Sequence, residues 1–434
     1  MARNVFISIL GTNNYLQTHY ALDGKISKPV RFVQDALIDF ICKDWTENDR
    51  VIIFYTEESK KKNWLDNGQV RFHEDEELEK IGLKHILENK NLKPQIEDHK
   101  IPEGFSEDEI WGIFNCIYNY LQEEDRIHFD VTHAFRSIPL FSTVLFNYAQ
   151  YMKQTTTFSI YYGAFETLGP VPEVKSMLLK DRIAPIIDLT SLINLQNITI
   201  AASDFTQFGK MGSFAGMIDG GKKGAAAQAI QRIKKALSEL DYYIATCRMY
   251  ELREGKYMKT IHELFETAFQ SNRLLQAEKE LLEKIKRNLD VFKPYETEDN
   301  IDAAVNWALT YGMLQQAYTM GQELVITKVC TLLKEENPSM KDTDYRKYIS
   351  AILGISEKDV SDKNFKGNLK EFQGLTNRLL ALEWIKMIRK PYGNLAGNRN
   401  IINHGKRASV HLEKQFRKDY SEIKAILEQW GDES

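Results

Sequence analysis

A chain of 434 residues is too long for one comfortable hydrophobic core, so two or three domains are expected. Its 43% apolar and 27% charged residues are those of a soluble globular protein, and a formal net charge of −4 argues against a general nucleic-acid coat. Four widely spaced cysteines (Cys42, Cys116, Cys247, Cys330), with no CxxC pair and no histidines at zinc spacing, argue against a disulfide framework or a zinc site. They fit reduced, buried thiols in a cytoplasmic protein.

The first element is VFISILG at 5–11, a β-branched run of strand length rather than a signal peptide. No run approaches the roughly 18 apolar residues of a membrane span. Apolar residues at helical spacing follow in 28–45, a second strand reads VIIFYTE at 51–57, and 106–124 is again helical. RIHFDVTH at 126–133 and TFSIYYGAF at 157–165 complete the strands. Continuous apolar strands alternating with amphipathic helices predict α/β architecture over 1–190: a Rossmann-like domain with a parallel sheet covered by helices. Past Pro185 the pattern changes. Residues 201–224 hold six glycines, and long helical patterns follow, such as those over 225–252 and 274–292. This predicts a glycine-rich linker or hinge over 191–225 and an all-α domain over 226–434.

In an open parallel sheet, ligands sit beyond the carboxyl ends of the strands. Two such ends are unusually polar. In LGTNNYLQTHY (10–20), Gly11 allows close backbone approach, Thr12, Asn13 and Asn14 offer donors and acceptors, and Tyr15 offers a stacking face. The spacing is not GxGxxG, which excludes a nicotinamide fingerprint. In DVTHAFRSIPLF (130–141), Thr132, His133, Ala134, Phe135, Arg136 and Ser137 lead into a helix that Pro139 suits at its first turn, a favourable place for an anion. Tyr162, Gly163 and Glu166 are weaker candidates for the same rim. A structural turn and a satisfied core histidine are the plainer readings of each loop alone.

Together, FISILGTNNY and DVTHAFRSIP resemble a type III CRISPR-associated family with a DxTHG-type motif, with Ala134 in the glycine position. The resemblance implies an amino-terminal CARF domain that binds a cyclic oligoadenylate across a homodimer. Cyclic tetra-adenylate is the first choice and cyclic hexa-adenylate the alternative.

Near the carboxy end, AGNRNIINHGKR pairs Arg399 with His404, with Asn400 after the arginine. Between Lys386 and Lys418 stand nine Lys or Arg against one acid, Glu413, an electrostatic footprint for a phosphate backbone to which Lys406 and Arg407 belong. The Arg-x4-His pattern behind a CARF-like domain resembles the HEPN ribonucleases and implies composite sites across a dimer. These residue types suit metal-free cleavage of single-stranded RNA. The 2′-hydroxyl attacks the adjacent phosphorus, leaving 2′,3′-cyclic phosphate and 5′-hydroxyl ends. His404 would move the proton, Arg399 would stabilise charge on the phosphoryl oxygens, and Asn400 would orient either. Five positions turn about 500° on a helix, so the pair needs a bend near Gly397 or Gly405 or a long reach by Arg399. Gln316 or Glu323 could support the site from another helix. The rival readings are a solvated basic face with His404 at a helix cap, a non-catalytic sensor, and a CARF domain that itself degrades the ring through Thr132 or His133. No acidic cluster in the helical half suggests Mg²⁺-dependent DNA cleavage, and no resident cofactor or membrane partner is expected.

Overall fold

A computed structural model describes residues 2–68, 80–133, 138–211, 225–270 and 274–431. The chain divides into two compact units, Met1–Gln196 and Asn197–Ser434. The first is an α/β unit with a mixed sheet, and the second is helical.

The sheet has eight strands: β1 (Asn4–Leu10), β2 (His19–Leu22), β3 (Lys25–Ile26), β4 (Arg50–Tyr55), β5 (Gln95–Lys100), β6 (Arg126–Asp130), β7 (Thr156–Gly163) and β8 (Ile183–Asp188). Their order is β3-β2-β8-β7-β6-β1-β4-β5. Alternate side chains of the central strands feed two different cores. Val5, Ile7 and Ile9 join Ile52, Phe54, Ile127 and Phe129 on one face, whereas Phe6 and Leu10 join Val51, Ile53 and Tyr55 on the other. Helix Val33–Ile41 covers the second face through Val33, Ala36 and Leu37. Helices Glu107–Tyr120 and Ile138–Lys153 cover the first through Ile113, Ile117, Leu145 and Ala149. Burial on both faces is why these strands read as unbroken apolar runs.

The expected parallel sheet is only part of what forms. β7-β6-β1-β4-β5 are parallel, but β8 runs antiparallel to β7 and β3 antiparallel to β2. The apparent change of character at Pro185 falls inside β8, and helix Thr190–Phe208 follows it. That helix lends Ile198, Ala201, Ala202 and Phe205 to the helical core, so 191–208 is packed helix and not linker. The rest of the expected hinge, 212–224, lies outside the described residues.

In the helical unit, helices Leu314–Leu332, Glu383–Asn403 and Leu412–Gly431 share one core containing Tyr318, Leu324, Ile388, Leu395, Phe416 and Ile423. Gly321 lets helices approach closely: a Cβ there would lie 2.8 Å from the Phe416 ring.

Candidate functional sites

The parallel strands run in the order β5-β4-β1-β6-β7, which puts a topological switch point between β1 and β6. Both predicted loops leave the sheet there. Ser8 and Asp130 are register partners on these two strands. The buried Asp130 carboxylate accepts from Ser8 Oγ (2.7 Å), Thr132 N (2.9 Å) and Thr132 Oγ1 (2.5 Å), and Gly163 N donates to Thr132 Oγ1 at 2.8 Å. Burial raises the Asp130 pKa against the pull of those hydrogen bonds. Across the crevice, Tyr15 stacks on His133 with ring centroids 4.3 Å apart. A Cβ on Gly11 would meet Tyr15 Oη at 2.3 Å and His133 Cβ at 3.0 Å, so that stack needs glycine beneath it. Asn63 Nδ2 donates to Gly11 O (2.8 Å) and Asn13 O (2.9 Å), which pins the β1 loop.

These contacts enclose a cavity of about 490 Å³. Asn13, Asn14, Tyr15, Thr132 and His133, all anticipated from sequence, line it together with the weaker candidates Tyr162, Gly163 and Glu166. Gly11 and Thr12 lie outside the lining, and Ala134, Phe135, Arg136 and Ser137 lie outside the described residues. Sequence reasoning missed Tyr20 and Phe165, which add two more rings to the wall. Tyr162 Oη hydrogen-bonds the Glu166 carboxylate. Burial depresses the His133 imidazole to about 4 and pushes the Tyr15 and Tyr20 phenols well above their usual range. At neutral pH the cavity therefore offers neutral aromatic faces, amides and one carboxylate.

The second constellation ends helix Glu383–Asn403, which runs through Gly397 without a break. His404 is the C-cap, its N–H bonded to Asn400 O at 3.0 Å, and Gly405 follows at φ +60°. Gly405 N bonds Ile402 O (3.2 Å) and Lys406 N bonds Ile401 O (2.9 Å), the paired bonds of a Schellman motif. The bend expected at Gly397 or Gly405 is thus the helix terminus at Gly405. Arg399 is half-buried while Asn400 and His404 are exposed, and among the described residues no hydrogen bond joins Arg399 to His404. Arg399 Nη1 instead donates to Gln322 Oε1 at 3.4 Å. Gln322 Nε2 in turn donates to Tyr392 Oη (3.2 Å), which pairs with Ser350 Oγ (3.0 Å). Asn403 Oδ1 accepts from Gln315 Nε2 at 3.2 Å. The suggested supports Gln316 and Glu323 are engaged elsewhere, with Ala245 O (3.3 Å) and Arg346 (2.9 Å).

Three of the nine basic residues in this stretch are paired with acids: Lys386 with Glu383, the buried Arg389 with Glu357, and Arg417 with Glu413. Lys390, Lys406, Arg407, Lys414 and Lys418 are exposed and carry no ion pair among the described residues. Among those residues there is also no cluster of three or more His, Cys, Asp or Glu arranged to hold a metal, and no helix long and apolar enough to cross a membrane.

No family model matches the chain. It is similar to the CRISPR-associated protein MJ1674 of Methanocaldococcus jannaschii, with 23% identity over 403 residues covering 84% of this chain. The matched part spans only 59% of that relative's length. Among solved structures, Enterococcus italicus Csm6 bound to cyclic hexa-2′-fluoro-hexa-dAMP aligns with a TM-score of 0.48 and 12% identity, over 100% of this chain and 95% of that one. The chain therefore has a sequence relative among CRISPR-associated proteins.

Proposed function

We propose that this protein is a cyclic oligoadenylate-activated, metal-independent endoribonuclease of type III CRISPR defence, with the sensing site in 1–190 and the cutting site in 226–434. The observation that supports it best is the cavity at the β1/β6 switch point, where both anticipated loops meet among aromatic rings. Its volume of about 490 Å³ suits one nucleoside and is small for a ring of four or six. A ring therefore calls for a second copy of the cavity, and a homodimer follows. Cyclic tetra-adenylate is the first choice of activator and cyclic hexa-adenylate the second. The similarity to a CRISPR-associated protein agrees with this setting.

At the helix end, Arg399 presents a guanidinium steadied by Gln322, and His404 stands exposed one residue beyond the last helical turn. Bound RNA would lie against Lys406, Arg407 and the neighbouring unpaired cations. The 2′-oxygen attacks the adjacent phosphorus and the bond to the 5′-oxygen breaks. His404 handles the proton leaving the 2′-hydroxyl or arriving at the 5′-oxygen, and a second His404 across the dimer takes the other transfer. Arg399 meets the charge on the phosphoryl oxygens, and Asn400 orients the phosphate.

The test follows a fluorogenic single-stranded RNA in EDTA with no ring, with cyclic tetra-adenylate or with cyclic hexa-adenylate, beside a His404→Ala protein. Cleavage is expected only with a ring, unaffected by EDTA and absent from the variant. A ring that binds without eliciting any cleavage would leave a non-catalytic sensor as the function.

A further inference from the structure

Among the described residues, the cavity walls contain one carboxylate, Glu166, and no Lys or Arg. A base suits such walls, but the phosphate attached to it does not. Positive charge gathers instead at one edge. Lys80 Nζ donates to Oδ1 of Asn14, a lining residue, at 3.3 Å. Arg31 reaches the same edge through Ile81 O (3.3 Å), next to Lys80 in the chain, and through Asn63 Oδ1 (3.0 Å). Lys175 stands one helical turn beyond Val171, another lining residue, on helix Val171–Ser176.

We propose that Arg31, Lys80 and Lys175 form a phosphate-binding edge to the cavity, so that a nucleotide lays its base among the rings and its phosphodiester on three cations. This rests on the ring-sensing reading given above and adds residues that neither loop motif contains.

None of the three cations pairs with a carboxylate among the described residues. Lys80 and Arg31 are half-buried, so their charges cost desolvation without a compensating anion. The Lys80 pKa is lowered by burial and then by the Arg31 and Lys175 charges, as expected where like charges crowd together. A phosphate would relieve that repulsion. His133 cannot substitute for them, because its depressed pKa leaves it neutral near pH 7. The bracing is also specific. Asn63 accepts from Arg31 with its oxygen and donates to the β1 loop with its nitrogen, so the cationic edge and the loop are fixed by one amide.

The experiment measures binding of fluorescent cyclic tetra-adenylate and cyclic hexa-adenylate by anisotropy across a salt series. It uses the wild-type chain, Lys80→Gln, Lys175→Gln and the double variant. Arg31 is left in place because it braces Asn63, and melting curves check folding. Each single variant is expected to weaken binding of the preferred ring about tenfold, the loss of one charge-assisted contact. The slope of log affinity against log salt should flatten by about 0.7 per phosphate contact removed. If the ring binds the folded double variant with unchanged affinity and slope, the edge is wrong and ring sensing stands. If neither ring binds the wild-type chain, both fall together.

Discussion

Gln322 is the residue on which the Arg399 geometry depends. Its side chain is buried, its oxygen faces Arg399 and its nitrogen is taken by Tyr392, so the amide cannot turn without breaking both contacts. Arg399 Nε is buried without a partner, which leaves Gln322 the only side-chain acceptor for this guanidinium among the described residues. Replacing Gln322 with leucine keeps the shape and deletes the acceptor. The expected result is a fall in ring-stimulated cleavage of about tenfold, roughly 1.4 kcal/mol of transition-state stabilisation, with ring affinity unchanged. Unaltered turnover would mean that Arg399 is oriented by something else. Gln322 was nearly legible in the sequence. The sequence points to the helix carrying it through Gln316 or Glu323, whereas the residues facing the motif are Gln315 and Gln322, one position earlier on each turn. One position is about 100° around a helix, and only the packed neighbours reveal which face is turned inward. Arg31, Lys80 and Asn63 were illegible for a different reason. They come from three separate segments, and nothing in local spacing shows that the sheet brings them to one edge.

At the scale of elements, the end of helix Glu383–Asn403 decides where His404 points. Gly405 has φ +60°, with open space around the site of a Cβ. Alanine there would meet no clash but would take on left-handed backbone strain of about 1 kcal/mol. The expected outcome for Gly405→Ala is a modest drop in melting temperature together with a larger loss of cleavage, because the turn that sets His404 beyond the helix is the one being strained. Gly405→Asn, which tolerates this conformation better, should recover much of both. Cleavage that falls no further than stability predicts would show that His404 needs no such placement. The same physics explains which elements the sequence revealed. β1, β4 and β6 announce themselves because most of their residues are buried between two helical layers. β2 and β3 have four and two residues, and the edge strand β5 has no fully buried residue, so no apolar run marks them. β8 was hidden by Pro185, a residue that ordinarily argues against a strand.

At the scale of the whole molecule, the two units have separate hydrophobic cores. One core runs from Ile198 to Leu427, and the two cores of the α/β unit flank its sheet. Chains with separate cores need not unfold in one step. Calorimetry of the full chain should resolve two transitions. Saturating ring should raise chiefly the one belonging to Met1–Gln196, since a ligand stabilises most the unit that binds it. At a free ring concentration of about 100 times its dissociation constant, that stabilisation is about 2.7 kcal/mol. Hydrogen exchange assigns the transitions: slower exchange is expected in peptides covering 10–16 and 130–133. The His404→Ala protein should show the same shift as wild type, because the helix-end site takes no part in ring binding. The Lys80→Gln, Lys175→Gln double variant should show a smaller one at equal ring concentration. A ring that instead raised the transition of Asn197–Ser434 would move the sensing site out of the β1/β6 crevice and undo the assignment of the cavity.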